Sequence, residues 1–233
     1  MSRRARTVDE LTNEARDGIV KALAEPLPAG WRAGPATATG NGRRPDPFGY
    51  TIGYAVLRDL LDRMDLADPL HVRAALYAAY GWMPKVLNAD VPDELISEVG
   101  RIALHARSLV SSDGKAVDDA RLAGLLDRIR TSGAVAATNN APVGLSKFLH
   151  LAAPRVVPIW DSRICVNLGW KKHNDGSLRH FEAYVRALHR WRHEGGAVPP
   201  DDPANPSETD KDDPNRWVRA AEWYLFRVGP PAG

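Results

Sequence analysis

The sequence predicts an all-α protein. Apolar residues recur every three or four positions through most of the chain, and capping residues mark where the helices begin. The only candidate strand is the apolar run at residues 156–160, and Pro158 inside it cannot donate to a β-ladder. With 233 residues, of which 44% are hydrophobic and 26% charged, the composition is that of a soluble globular protein.

Five helices are predicted in the first 130 residues. The first begins at about residue 7 behind Thr7-Val8-Asp9-Glu10, a capping-box pattern, and the third begins behind Asp68-Pro69. The second, fourth and fifth are expected at about residues 48–64, 92–110 and 117–130. Residues 26–47 are rich in Pro, Gly and Thr and predict a long loop. We therefore divide the chain into an N-terminal helix and loop, residues 1–47, and a helical domain, residues 48–233.

Residues 139–169 contain the most informative pattern. A turn-rich entry ending at Gly144 precedes a short apolar helix that carries Ser146 and Lys147 and is closed by Pro154. The run at residues 156–160 then leads to Asp161, which is predicted to be the N-cap of two helical turns that end at a C′ glycine, Gly169. A helix N-terminus favours an anion, so the Asp161 carboxyl is expected to be ionised at neutral pH.

The remaining chain is predicted to hold a helix at about residues 177–193, an acidic linker at 194–213 and a last helix that opens at Asp213-Pro214. No apolar run approaches the roughly 18 residues of a membrane span. The basic N-terminus lacks the apolar region of a signal peptide. A cytoplasmic location without membrane contact is expected.

Metal and disulfide chemistry is not predicted. The single cysteine, Cys165, excludes a disulfide framework and a cysteine-built zinc or iron–sulfur site. His189 and His193 lie one helical turn apart, but no HExxH pattern accompanies them.

The central stretch resembles the helix-hairpin-helix superfamily of DNA base-excision glycosylases. In that family a glycine-containing hairpin precedes a helix, and a run of the type hydrophobic-Pro-hydrophobic-hydrophobic-Asp follows. Here Val143-Gly144 corresponds to the hairpin end, Ser146-Lys147 to the start of the second hairpin helix, and Pro158-Ile159-Trp160-Asp161 to the catalytic entry. The resemblance extends from the fifth predicted helix to Gly169. Lysine-dependent members place their lysine at the position of Ser146, one residue before Lys147.

The resemblance implies a two-lobed helical domain that excises a base from DNA, with the hairpin helix and the catalytic aspartate at residues 131–169. Asp161 would stabilise positive charge on the sugar, and Lys147 is a possible second catalytic group. The 131–147 hairpin would bind phosphate, and an aromatic residue would hold the flipped base. The implied DNA-contact residues are Asn140, Val143, Gly144, Ser146 and Arg163. The implied base pocket or wedge residues are Trp160, Tyr80 and Trp82.

The implied partner is double-stranded DNA, bound by a monomer that needs no metal or other cofactor. The excised base is an endogenous lesion or a modified base in foreign DNA such as phage DNA. Two other classes of protein fit the sequence. One is a DNA-binding protein without catalysis that keeps the hairpin for phosphate contact, and the other is a helical interaction module in which Asp161 only caps a helix.

Overall fold

The computed structural model describes residues 4–24, 50–82, 91–110, 115–138, 141–197 and 217–228, and all regular structure in these residues is helical. The prediction of an all-α protein is confirmed. No helix in these ranges is long and apolar enough to cross a membrane. The α-helices are α1 (Val8–Ala24), α2 (Tyr50–Arg63), α3 (Pro69–Trp82), α4 (Asp93–Ser108), α5 (Asp119–Thr131), α6 (Ala141–Ala152), α7 (Ser162–Asn167), α8 (Leu178–His193) and α9 (Trp217–Val228). Two short 3-10 helices lie at Ala134–Ala137 and Lys172–Gly176.

The predicted capping residues lie at helix starts. Thr7 and Glu10 form the reciprocal capping box of α1, in which Glu10 N donates to Thr7 Oγ1 over 3.1 Å and Thr7 N donates to the Glu10 carboxylate over 2.6 Å. Asp68 accepts from Leu70 N over 2.8 Å at the start of α3. These caps confirm the predicted starts of both helices, because each satisfies an amide that has no partner inside the helix.

α6 begins earlier than the sequence pattern predicts. The expected turn up to Gly144 is absent, because α6 starts at Ala141 and Gly144 is already helical. Pro142 fits this first turn, since proline lacks an N–H that would be unsatisfied there and its fixed φ is helical. The helix ends at Ala152, before Pro154, as predicted.

The core is built around α8. Its predicted inward residues Phe181, Tyr184, Val185 and Leu188 are all buried. α1 lies along α8, and α9 contacts both α1 and α7. The short helix α7, which begins at Asp161, is therefore attached to a packed three-helix region.

Several sequence predictions fall on residues outside the described ranges. They include the loop at 26–47, most of the linker at 194–213, the opening of the last helix at residue 213 and Asn140.

Two helical glycines provide a test of the packing. A Cβ atom at Gly100 of α4 would lie 2.2 Å from Leu66 O and 2.7 Å from Val72 Cγ2. Because backbone cannot move away cheaply, Gly100→Ala is expected to lower the free energy of unfolding by about 1–3 kcal/mol. A Cβ atom at Gly124 of α5 would have no heavy atom within 4 Å. Gly124→Ala is therefore expected to raise the free energy of unfolding by about 0.5–1 kcal/mol. Urea denaturation measures both, and effects of the same sign would contradict this packing.

Candidate active site around Asp161

Two buried histidines bind the start of the segment at residues 156–160. His189 Nε2 lies 2.8 Å from Val156 O, and His150 Nδ1 lies 2.8 Å from Val157 O. Val117 N donates to His189 Nδ1 over 3.1 Å, so the His189 proton is assigned to Nε2, which donates to Val156. Both side chains are fully buried. They replace the partners that a neighbouring strand would supply to these carbonyls.

Ser146 holds the other end of the same segment. Its buried hydroxyl accepts a hydrogen bond from Trp160 N over 3.0 Å and donates one to Val143 O over 2.9 Å. The residue immediately before Asp161 is therefore tied to α6. The segment forms no ladder, in agreement with the prediction that residues 156–160 are not a strand.

Asp161 is the N-cap of α7, as the sequence predicts. Its Oδ1 atom accepts hydrogen bonds from Arg163 N and Ile164 N, each 2.9 Å long. Its Oδ2 atom has no hydrogen-bond partner among the described residues. Gly169 follows the C-cap of α7 with a φ of 83°, which confirms the predicted C′ glycine. The cap thus uses one carboxylate oxygen and leaves the other for another interaction.

The charge on Asp161 is set by opposing effects. Burial raises the pKa of the Asp161 carboxyl, and the hydrogen bonds from the Ile164 and Arg163 amides lower it. The positive charges of Lys147 and Arg163 also lower this pKa, but the net direction is upward. The helix N-terminus alone predicts the opposite direction, because that argument leaves out desolvation of the carboxylate.

The structure brings three of the predicted site residues together. Lys147 in α6 is partly exposed and its charge acts on the Asp161 carboxyl. Arg163 is also partly exposed, and its guanidinium lies 5.0 Å from the centre of the Phe226 ring in α9. One carboxyl and two cations therefore lie in a common electrostatic environment.

Other predicted site residues lie away from any open surface. Val143, Gly144 and Ser146 are buried in α6, so none of the three offers a surface to a DNA phosphate in this structure. Their burial follows from the early start of α6, which places them inside the helix rather than in a hairpin turn. The side chains of Tyr80 and Trp82, in the last turn of α3, lie outside the described part, as does Asn140.

Trp160 is a core residue in this structure. It is fully buried, and its ring packs 5.4 Å from Tyr184 and 5.9 Å from Trp170, measured between ring centres. Its Nε1 donates to Asp175 O over 2.7 Å. Trp160 therefore has no ring face open to a base and instead supports the segment that ends at Asp161.

Sequence reasoning missed a buried polar group on α9. Arg219 and Glu222 form an ion pair, with side chains 7% and 2% exposed. Burial raises the pKa of Tyr184 well above its ordinary value, and the charges of Glu222 and Asp161 raise it further. The Tyr184 hydroxyl is buried and has no hydrogen-bond partner in the described part of the chain. The available signal was the pair of opposite charges three residues apart beside Trp217 and Ala221.

Comparison of the chain with models of known protein families, with curated proteins and with solved structures finds no match. The chemistry around Asp161 is accordingly the basis for a functional proposal. Three properties are relevant to it: a carboxylate with one oxygen outside the cap, nearby cations, and a segment held by side chains from α6 and α8.

His189 is expected to make the protein less stable in acid. Burial lowers its pKa to about 4 from the ordinary 6.5, so its stabilising contribution is complete above pH 6.5 and is lost as the pH falls towards 4. The loss is about 3 kcal/mol, since each unit of pKa difference corresponds to about 1.4 kcal/mol. Urea denaturation from pH 7 to 4 should show a flatter pH dependence for His189→Gln. Exposed His173→Gln is the control, and equal slopes for wild type and His189→Gln would contradict the assignment.

Proposed function

We propose that this protein is a DNA N-glycosylase that removes a damaged or modified base and leaves an abasic site. The observation that carries the proposal is the Asp161 carboxylate, because its cap uses Oδ1 and leaves Oδ2 for substrate or water. The resemblance of Pro158-Ile159-Trp160-Asp161 to the catalytic entry of helix-hairpin-helix glycosylases supports it, whereas residues 141–144 are helical and do not form the hairpin turn that the resemblance implies. Lys147 and Arg163 add positive charge beside the carboxylate, which suits a substrate that carries phosphate.

In the proposed reaction the C1′–N bond of the target nucleotide breaks and its electron pair leaves with the base. Positive charge develops on the sugar, as in glycoside hydrolysis, and the Asp161 carboxylate offsets it. A water oxygen then bonds to C1′, and the water proton passes to the carboxylate or to the departing base. The upward pKa shift makes this carboxyl a stronger base than an ordinary aspartate, which favours proton abstraction.

Positioning of the carboxylate is the second requirement of this chemistry. A group that acts on C1′ must be held within a fraction of an ångström of its productive place. The hydrogen bond between Trp160 N and Ser146 fixes the residue before Asp161, and the amides of Arg163 and Ile164 fix its side chain. The carboxylate is therefore positioned by one contact of the residue before Asp161 and by two amides of residues after it.

Base holding is assigned to the end of α3 rather than to Trp160. Trp160 is enclosed in the core, so stacking on a flipped base would require its ring to leave Tyr184 and Trp170. Tyr80 and Trp82 belong to the last turn of α3, and they are the other aromatic residues that the resemblance implies for this role. An aromatic residue at this end of α3 would hold the base by stacking.

Asp161→Asn is expected to abolish base excision while preserving the fold. Asparagine can still cap α7, so the melting temperature should change little. It carries no negative charge to offset the sugar cation, and the loss of about 4 kcal/mol of transition-state stabilisation is about a thousandfold in rate. The measurement is abasic-site formation in DNAs of varied base content, with thermal melting of the same preparations.

Asp161→Ala is the matched comparison, because it removes the cap as well as the charge. It is expected to lose excision and, in addition, about 1 kcal/mol of stability. An Asn variant that excises bases at the wild-type rate would show that Asp161 only caps α7. A wild-type protein that binds DNA in a salt-dependent way but releases no base would indicate a binding protein without catalysis.

Lys147 is expected not to form a Schiff base with the sugar. That mechanism needs a neutral amine next to the sugar carbon. Lysine-dependent members of the resembled superfamily place their lysine where this chain has Ser146, one residue before Lys147. Borohydride treatment of the protein with its substrate should therefore trap no covalent adduct, and the product should be an intact abasic site. An adduct that forms with the wild type and disappears in Lys147→Ala would contradict this expectation.

A further inference from the structure

A small cavity lies apart from Asp161, where the C-terminal ends of α2, α4 and α6 meet. Its volume is about 260 Å³. Its described lining includes Arg58 and Asp62 of α2, Arg107 of α4, and Arg155 in the turn that follows α6. Clefts for drug-sized molecules occupy roughly 300–1,000 Å³, so this cavity suits a single small group.

The described lining of the cavity is positively charged. Three arginines and one carboxylate, Asp62, leave a formal excess of two positive charges among these residues. Asp62 is more than half exposed and lies 3.4 Å from Arg58 and 3.5 Å from Arg107, at the long end of the ion-pair range. Burial lowers the pKa of Arg107, the charge of Asp62 opposes this shift, and the charge of Arg58 adds a smaller lowering effect.

Arg107 has a structural role that accounts for most of its bonds. Its Nε donates to Ala152 O at the end of α6 over 2.7 Å, and its Nη2 donates to Leu61 O near the end of α2 over 3.0 Å. Helix C-termini carry partial negative charge, so these carbonyls favour a cation at this place. Arg107 therefore joins two helix ends whether or not the cavity contains a ligand.

Arg58 makes few hydrogen bonds to the described residues. Its only one is the 3.4 Å contact from Nη2 to Asp62. Its Nε atom is shielded from solvent and has no acceptor among the described residues, so a ligand in the cavity would reach the Nη atoms instead. The side chain as a whole is 28% exposed, and an acceptor at the Nη atoms would add charge-assisted hydrogen bonds to the single long one.

We propose that Arg58 and Arg107 form a binding site for one phosphate group. A phosphate supplies an acceptor for the Arg58 Nη atoms, whose one bond to the described residues is long, and the negative charge that Asp62 supplies only in part. Guanidinium groups match phosphate oxygens in geometry as well as in charge. The phosphate comes either from the DNA backbone or from a free phosphate ion. The site does not depend on the proposed glycosylase activity.

The test is calorimetric titration of the full-length protein with inorganic phosphate, with chloride at equal ionic strength as the reference. The wild type is expected to bind phosphate saturably, and Arg58→Gln to bind it about tenfold more weakly. Arg63→Gln is the matched control, since it removes the same charge from α2 at a position that is 76% exposed and paired with Asp59. It should bind phosphate as the wild type does.

A second variant distinguishes a loss of the phosphate site from a general loss of folding in Arg58→Gln. Asp62→Asn removes the carboxylate of the cavity, and it is expected to tighten phosphate binding because the excess positive charge increases. General destabilisation would not produce a tighter site. Absence of saturable phosphate binding by the wild type, or equal weakening in Arg58→Gln and Arg63→Gln, would overturn the proposal.

A duplex oligonucleotide distinguishes the two sources of phosphate. If the site takes a backbone phosphate, the duplex should displace inorganic phosphate, and Arg58→Gln should weaken duplex binding more than Arg63→Gln does. If it takes the free ion, phosphate should bind with the same affinity to the protein–DNA complex, and Arg58→Gln should leave duplex affinity unchanged. Failure of base excision alone would leave these binding results unaffected.

Discussion

The position of Asp161 depends on hydrogen bonds from side chains to a buried backbone that no strand accompanies. Buried carbonyl and amide groups must find partners, and here His189, His150 and Ser146 supply them at Val156, Val157 and Trp160. Each of these side chains comes from α6 or α8. The geometry of the candidate site is therefore a consequence of how these two helices pack, because a shift of either would leave polar backbone unsatisfied.

The same arrangement places two neutral imidazoles in the core. Burial lowers the pKa of His150, and the charges of Arg219 and Arg58 lower it further, while the bond to Val157 acts in the opposite direction. His189 has two backbone partners, one donating to it and one accepting from it, so its neutral tautomer satisfies both. A protonated ring at His189 would face Val117 N–H with a second N–H, which replaces an attraction with a repulsion.

Charged residues inside the fold have different physical roles. Arg107 satisfies helix-end carbonyls, and Arg219 pairs with Glu222 inside the helical packing of α9. Asp161 differs from them, since one of its oxygens is in a cap and the other has no partner among the described residues. Arg58 differs too, because its only hydrogen bond to the described residues is the 3.4 Å contact to Asp62. Asp161 and Arg58 are the two side chains to which ligands are assigned.

Local chemistry was sufficient to predict most of the described helices and several of their caps, but not the start of α6. A helix cap depends on residues within one helical turn, so the sequence alone determines it. This holds for the N-caps Thr7 and Asp161 and for the C′ glycine Gly169. His189, Ser146 and Trp160 form hydrogen bonds with partners that lie 14 to 72 residues away. The upward pKa shift of Asp161 depends on burial by the surrounding helices. Only the tertiary structure decided these features, because no local pattern specifies which distant groups will meet or how much water they exclude.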